Sequence, residues 1–248
     1  MAWNRRLPLA TQFDRLCVVL VGTRNPLNLG AAARAMSNFG CARLRAVNPY
    51  EMAFREARSA VGAEAVLRQA EEYKTIAQAV ADCSLVVGTT AGSRRDLIQP
   101  LRTLQEGAAE LRRQMPSGRV ALLFGSEKRG LSNQDISHCH WLMRIPTRAE
   151  HPSMNLGQAV AVCLYELARE ASTPARTQAP KTASSGEIER ITTLLFQALS
   201  ASGYVKPRTA ASTEEKLRRL VRRLQLPAQD TEVWMGMLRQ IVWKLQQR

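Results

Sequence analysis

Residues Val120 to Leu131 read VALLFGSEKRGL, five apolar residues running straight into a loop bounded by Gly125 and Gly130. An unbroken apolar run of this length is the pattern of a strand buried on both faces. The two glycines permit positive φ or close backbone approach to a ligand. Glu127 sets an acid at the mouth of that strand in a strongly basic chain. A surface loop with an ion pair from Glu127 to Lys128 or Arg129 would read the same way, so this stretch needs company.

Two more patches of the same construction supply it. Leu16 to Val21 is a second apolar run, ending at Gly22 and followed by Asn25-Pro26-Leu27-Asn28-Leu29-Gly30 and an alanine-rich segment to Phe39. Asn25 and Asn28 suit a turn and the cap of a following helix. Arg34 lies about one and a half helical turns beyond Asn28, near enough to share a site at that helix's N-terminal end. A guanidinium there supplies a fixed cation for a phosphate or a developing oxyanion. The third patch pairs a strand over Leu142 to Ile145 and Pro146 with Pro152-Ser153-Met154-Asn155-Leu156, where Ser153 reads as the N-cap of a helix reaching Ala171. Between them, Leu85 to Gly88 forms a strand running into Thr89-Thr90-Ala91-Gly92, whose hydroxyls and amides suit a bound nucleoside or carboxylate, or simply end the strand.

Further strands are expected around Leu44 to Val47, and helices over Arg55 to Glu72, Thr75 to Ala81 and Leu101 to Gln114. Strands alternating with helices imply a parallel α/β sheet covered on both sides. Ligands bind such sheets where the carboxyl ends of the strands meet, so loops on that edge would share one pocket. The Pro174- and Pro180-punctuated stretch reads as a linker over 173–186. Beyond it, Ser184 with Glu187 and Ser212 with Glu215 fit capping boxes, and Asp230 is placed to cap a last helix. Three short amphipathic helices over 187–248 make an all-α module with little core of its own, which needs a surface to dock on.

The chain has 248 residues and a formal net charge of +14, a field that attracts polyanions. Aromatic residues are only 5%, so recognition by many stacked bases is disfavoured and a structured, phosphate-rich target fits better. Cys17, Cys41, Cys83, Cys139 and Cys163 are scattered and odd in number, which reads as reduced thiols of a cytoplasmic protein. No signal peptide and no membrane-length apolar run stands out, so no membrane partner is expected. His138-Cys139-His140 is too crowded for all three to face one zinc ion, and no metal is expected. Neither a dinucleotide fingerprint nor a phosphate loop of NTPases follows any strand, and no helix-turn-helix arrangement stands out.

In order and spacing the three patches resemble the SpoU branch of the trefoil-knot RNA methyltransferases (the SPOUT superfamily). The resemblance spans about the first two-thirds of the chain, and Met154 is a mild departure where the family has leucine. It implies a trefoil knot at the C-terminal side of the sheet, a methyltransferase domain over 1–172, and S-adenosylmethionine as cofactor. It further implies transfer to a ribose 2′-hydroxyl of RNA, which makes DNA a poorer partner, and a homodimer with a shared active site. By the same resemblance Arg34 is catalytic with Asn28 as companion, and Ser153 and Asn155 shape the reacting end. Cofactor contacts fall to Thr89, Thr90, Ala91, Gly92, Gly125, Glu127, Gly130, Ile145, Pro152, Ser153 and Met154, while Arg94 and Arg95 look like RNA phosphate contacts. The opening Asn-Pro-x-Asn-x-Gly, the Cys139-His140-Trp141 lead and the helical extension most resemble the branch that modifies a cytidine or uridine in the tRNA anticodon loop. Relatives acting on ribosomal RNA or on the D loop, and a catalytically silent RNA-binding protein on the same scaffold, are the alternatives.

Overall fold

The computed structural model describes residues 13–49, 62–91, 99–169 and 182–247. Among the described residues seven strands, β1 (Leu16–Val21), β2 (Arg43–Val47), β3 (Glu71–Tyr73), β4 (Leu85–Thr89), β5 (Leu101–Thr103), β6 (Val120–Phe124) and β7 (Trp141–Arg144), form one sheet ordered β3-β2-β1-β6-β4-β7-β5. Every pairing is parallel. The order reverses around β1, β6 and β4, so their carboxyl ends face one crevice, where ligands of open α/β sheets bind.

Helices cover both faces, as unalternated apolar strands require. On one face Val18, Leu20, Leu122, Phe124 and Val87 pack under α1 (Pro26–Asn38), α4 (Leu104–Gln114) and α6 (Leu156–Arg169). On the other, Cys17, Val19, Val86, Ala121 and Leu123 pack against α3 (Ile76–Ala79), α5 (Asn133–Ser137) and Leu131. The short helix α2 (Glu64–Arg68) also joins the first face through Val66 and Leu67. Small residues let α1 and α6 meet closely: a Cβ on Gly157 would lie 2.5 Å from the Ala31 Cβ. All five cysteines are buried free thiols.

The C-terminal helices α7 (Ser185–Ala201), α8 (Ala210–Arg223) and α9 (Thr231–Gln246) enclose a small core of Ile188, Ile191, Val221, Leu226 and Leu238. This bundle docks on the sheet domain. At the N-terminus of α7 the Ser185 and Gly186 amides donate to the Cys83 and Ala81 carbonyls at 2.7 and 2.8 Å.

Several expected boundaries differ. The stretch read as one helix over Arg55 to Glu72 lies outside the described residues up to 61, is helical at α2, and then extends as edge strand β3. Glu71 pairs there with Arg45, which is 4% exposed and also binds Asp82 at 2.6 Å, so a buried cation recruits an acidic edge strand. The Arg45 hydrogen bond holds the Asp82 carboxyl well below the usual carboxylate range. Leu101 to Thr103 is strand rather than helix, because Thr103 and Glu106 form a capping box that starts α4 only at Leu104. Helix α3 is shorter than the expected Thr75 to Ala81, and α6 starts three residues after Ser153.

In the bundle the Ser184–Glu187 capping box is formed and opens α7 inside the stretch read as linker, where Thr182 also bridges Pro227. The Ser212–Glu215 box is absent: α8 begins earlier, at Ala210, and the Ser212 hydroxyl donates back to the Thr209 carbonyl. Asp230 precedes α9 with no capping hydrogen bond from its side chain, since its backbone is already helical.

Candidate functional site

A cavity of about 330 Å³ opens at the carboxyl ends of β4, β6 and β7. Thr89, Thr90, Ala91, Gly125, Glu127, Gly130, Ile145, Pro152, Ser153 and Met154 all line it. Gly92 lies outside the described residues, as do Arg94 and Arg95.

The glycine loop owes its shape to its own backbone. A Cβ on Gly125 would fall 2.0 Å from the Gly130 carbonyl carbon and 2.1 Å from the Leu131 nitrogen. Only glycine lets the two ends of the loop touch. Gly130 holds φ +65°, and its amide donates to the Ser126 carbonyl at 2.8 Å. The close approach expected toward a ligand is thus, at Gly125, an approach of the loop to itself.

A chain of neutral and acidic side chains ties the three patches together. The Asn155 Nδ2 donates to Asn28 Oδ1 at 2.8 Å, and the Asn28 Nδ2 donates to Glu127 Oε1 at 3.2 Å. The Asn25 amide donates to the same Glu127 oxygen at 3.3 Å. Asn25 also caps α1, accepting from the Leu27 amide at 2.9 Å, with Pro26 at the first helical position. At the other end of the chain Asn155 Oδ1 accepts from the Gly157 and Gln158 amides. Asn155, not Ser153, is therefore the N-cap of α6, because it immediately precedes Leu156 and its carboxamide can serve the helix and Asn28 at once. This leaves Ser153 exposed at the cavity wall.

The β4 end is held from within. The Thr89 hydroxyl donates to the Leu123 carbonyl at 2.9 Å and the Thr90 amide to the Met143 carbonyl at 3.0 Å. Thr89 contributes shape, its proton being already placed. Thr147, not singled out in sequence, closes the third loop by donating to the Pro152 carbonyl at 3.1 Å and lines the cavity. Nothing in Thr147-Arg148-Ala149-Glu150 distinguishes it from any polar turn.

Arg34 is not among the cavity-lining residues of a single chain. Six positions beyond Asn28 is roughly 240° around the helix axis, so the two side chains leave α1 in different directions. Arg34 instead shares the exposed face with Leu27 and Ala31, its guanidinium lying beside Gly62, where a Cβ would sit 3.0 Å from Nη1. The expected meeting of Arg34 and Asn28 at one end of the helix is not what α1 provides.

His138, Cys139 and His140 turn to different partners. The His140 Nδ1 accepts from the Val86 amide at 3.0 Å, Cys139 packs in the core, and His138 faces Glu189 of α7 at 3.9 Å. Burial, reinforced by the Arg222 cation, pushes both imidazoles down to about 3. Among the described residues no group of three His, Cys, Asp or Glu side chains could hold a metal ion, and no helix is long and apolar enough to cross a membrane.

Residues 15–165 match the family model described as the SpoU rRNA Methylase family. A tRNA (cytidine/uridine-2′-O-)-methyltransferase TrmJ from Yersinia pestis (strain Pestoides F) is 35% identical over 233 residues, 90% of this chain and 90% of that protein. The crystal structure of TrmJ from Z. mobilis ZM4 superimposes with a TM-score of 0.80 at 31% identity, covering 91% of this chain and 98% of that one. A methylase family protein from Neisseria gonorrhoeae superimposes with a TM-score of 0.67 at 29% identity, covering 76% and 97%.

Proposed function

The chain belongs to the SpoU rRNA methylase family, and on that premise we propose that it is an S-adenosylmethionine-dependent tRNA 2′-O-ribose methyltransferase acting on a cytidine or uridine of the anticodon loop. The observation that carries this reading is the hydrogen-bonded line Asn155–Asn28–Glu127, which fastens three separate sequence patches around one cavity. The match to TrmJ relatives runs through the C-terminal helices as well as the sheet domain, which favours tRNA over ribosomal RNA as substrate.

The cavity fits the cofactor. Its volume is in the range of nucleoside-sized ligands, and its walls offer backbone groups of the 125–131 loop and of Ile145 and Met154 beside the Thr90 and Ser153 hydroxyls. The cofactor supplies the methyl group. What the chain supplies is alignment, since displacement at a methyl carbon depends on near-linear approach. An arginine hardly deprotonates near neutrality. Arg34 accordingly acts as an electrostatic stabiliser that orients an RNA phosphate, while that phosphate or water takes the proton of the 2′-hydroxyl.

Arg34 needs a second chain to reach such a cavity. The face of α1 that bears it also carries Leu27, 79% exposed, and near it α6 presents Tyr165, 55% exposed. Covering this face with a second copy forms a homodimer in which the arginine of one chain serves the cavity of the other. Residues 1–172 then form the catalytic domain, with the family's trefoil knot in it, and 187–248 a helical module. The protein works in the cytoplasm, where its tRNA is.

Incubation with tritiated S-adenosylmethionine and, in parallel, unmodified tRNA transcripts and ribosomal RNA tests the reading. Label in a 2′-O-methyl pyrimidine nucleoside of the anticodon loop is the expected result, and label confined to ribosomal RNA or absent altogether overturns it. Mixing Arg34→Ala with a Gly125→Val partner should restore activity in the mixed dimer. Subunit exchange without restored activity removes the shared site.

A further inference from the structure

The face of the molecule opposite the crevice holds an arrangement that the reaction itself does not call for. We propose that Arg218 of the C-terminal bundle is a positioning residue for the cofactor loop, fixing α5 and through it residues 125–131 from the side away from the cavity. The inference rests on the cavity being the cofactor site.

The connection is short and continuous. The loop ends at Leu131, which lines the cavity and packs into the second core face. Ser132 follows at once as the cap of α5, through a capping box with Asp135. After α5 the chain passes His138 to His140 and enters β7, where the Met143 carbonyl receives the Thr90 amide of the opposite cavity wall. Helix α5 is thus strung between two pieces of that wall. At five residues it cannot hold itself; its position comes from what grips it.

Among the described residues two side chains from elsewhere do so by hydrogen bonds. Gln99 Nε2 donates to the Ile136 carbonyl at 3.0 Å, and Arg218 Nη1 donates to Ser137 Oγ at 3.3 Å. The Ser137 hydroxyl donates a hydrogen bond inward to the Gln134 carbonyl at 2.6 Å, so the arginine also fixes the helix's own turn. Arg218 is in turn held rigidly. It is 7% exposed, its Nε lies 3.0 and 3.1 Å from the two Glu189 oxygens, and its Nη2 donates to Glu214 at 2.7 Å. A buried ion pair is weak evidence for stability in itself, because desolvation offsets most of the attraction. What this one adds is a guanidinium with a fixed plane whose third nitrogen, Nη1, points at α5. The consequence is a route from the bundle to the cofactor: whatever engages the bundle and shifts α8 alters the support of the 125–131 loop.

The test uses the full-length protein and S-adenosylhomocysteine as probe, with amide hydrogen exchange measured in parallel. Arg218→Ala should weaken binding by about tenfold, the scale of one lost charge-assisted hydrogen bond. Ser137→Ala, which spares the Glu189 ion pair, should weaken it by roughly threefold. Both should speed exchange over 126–137, and both should leave kcat at saturating cofactor within about twofold, as a KM effect requires. Arg219→Ala, on the same helix but bonded to Glu215, should change neither. If Arg218→Ala does not fold, Ser137→Ala decides alone. Wild-type affinity and exchange in folded Ser137→Ala and Arg218→Ala overturn the proposal, as does an equal loss in Arg219→Ala. Absence of any binding by the wild type instead removes the cofactor reading of the cavity, and the exchange over 126–137 still decides whether Arg218 positions the loop.

Discussion

The cavity and the junction between sheet and bundle are both polar, and they are built by opposite means. Around the cavity, carboxamides, hydroxyls and backbone groups bind one another within reach of water, and the acid Glu127 accepts from Asn25 and Asn28. At the junction, Arg218, Arg222 and His138 are withdrawn from water around the partly buried Glu189. The open site can exchange its internal hydrogen bonds for a ligand's at little cost. The closed one cannot, since each group that loses its partner stays desolvated. A site for turnover and a site for orientation are therefore distinguishable by what they do with charge.

The largest effect that separates them is expected at Gly125. Gly125→Val forces a side chain into the Gly130–Leu131 backbone, which cannot withdraw as a flexible side chain would. Cofactor binding should fall by at least about a hundredfold, on the scale of misplacement within an active site. Gly130→Ala has open space for its Cβ but sits at φ +65°, so it should cost only about 1–2 kcal/mol of stability. Calorimetry and urea unfolding of the pair check both. Equal losses in the two variants would mean that the loop does not need its ends in contact.

Acid should act on the buried polar side before the open one. His138 and His140 are held near 3 by burial and by the Arg222 cation, against an ordinary value of 6.5. The unfolded chain takes up those protons and the folded one does not, so stability is full above about pH 6.5 and falls as pH drops toward 3. Each histidine contributes up to about 1.4 kcal/mol per pH unit in that window. Urea midpoints at pH 7, 5.5 and 4.5 should trace the fall, and His138→Asn should remove about half the slope. An unchanged slope would place the acid sensitivity elsewhere.

A smaller effect is expected from putting charge where the open site has none. Asn28→Asp keeps the acceptor for Asn155 and replaces the donor to Glu127 by a second carboxylate. Methyl transfer should fall by about tenfold at pH 8 and recover toward pH 5, because like charges raise the carboxyl pKa and protonation restores a donor. Asn28→Ala should show no such recovery. A pH profile common to both variants would detach Asn28 from Glu127.

How far each region was legible follows from the same contrast. The central strands β1, β6 and β4 announce themselves, since burial on both faces leaves an unbroken apolar run. The cavity was legible because its parts are local: a strand, then glycine or asparagine, within a few residues. Edge strands β3 and β5 merge in the sequence with neighbouring helix patterns, because three residues such as Glu71-Glu72-Tyr73 have no period of their own and are held by the neighbouring strand and by Arg45. Ser153 and Asn155 are equivalent in capping propensity, and only the neighbouring Asn28 decides between them. The direction of Arg34 is not legible from its spacing to Asn28, because nearness along a helix is not a shared face. The junction was not legible at all: Glu189 and Arg218 are separated by 29 positions and meet only through the packing of α7 on α8.

Arg222 offers the finest discrimination between the two regions. It is 1% exposed, its Nη1 and Nη2 reach only Ser185 and Glu189 at 3.3 and 3.5 Å, and its Nε has no hydrogen-bond partner among the described residues. Burial draws its pKa down to about 10, so the charged form is less favoured here than in water. Glu189 already has Arg218 along its edge, and a second cation adds little to a carboxylate so placed. Replacing such a group by an apolar one of similar length is often neutral or stabilising, whereas truncation leaves a cavity. Arg222→Met should therefore lie within about 1 kcal/mol of the wild type, while Arg222→Ala should lose roughly 3 kcal/mol. Chemical unfolding of the two variants at pH 7.5 reads the difference directly. Should Arg222→Met prove as damaging as Arg222→Ala, the charge itself would be what the junction requires, and Arg222 would join Arg218 in fixing the bundle.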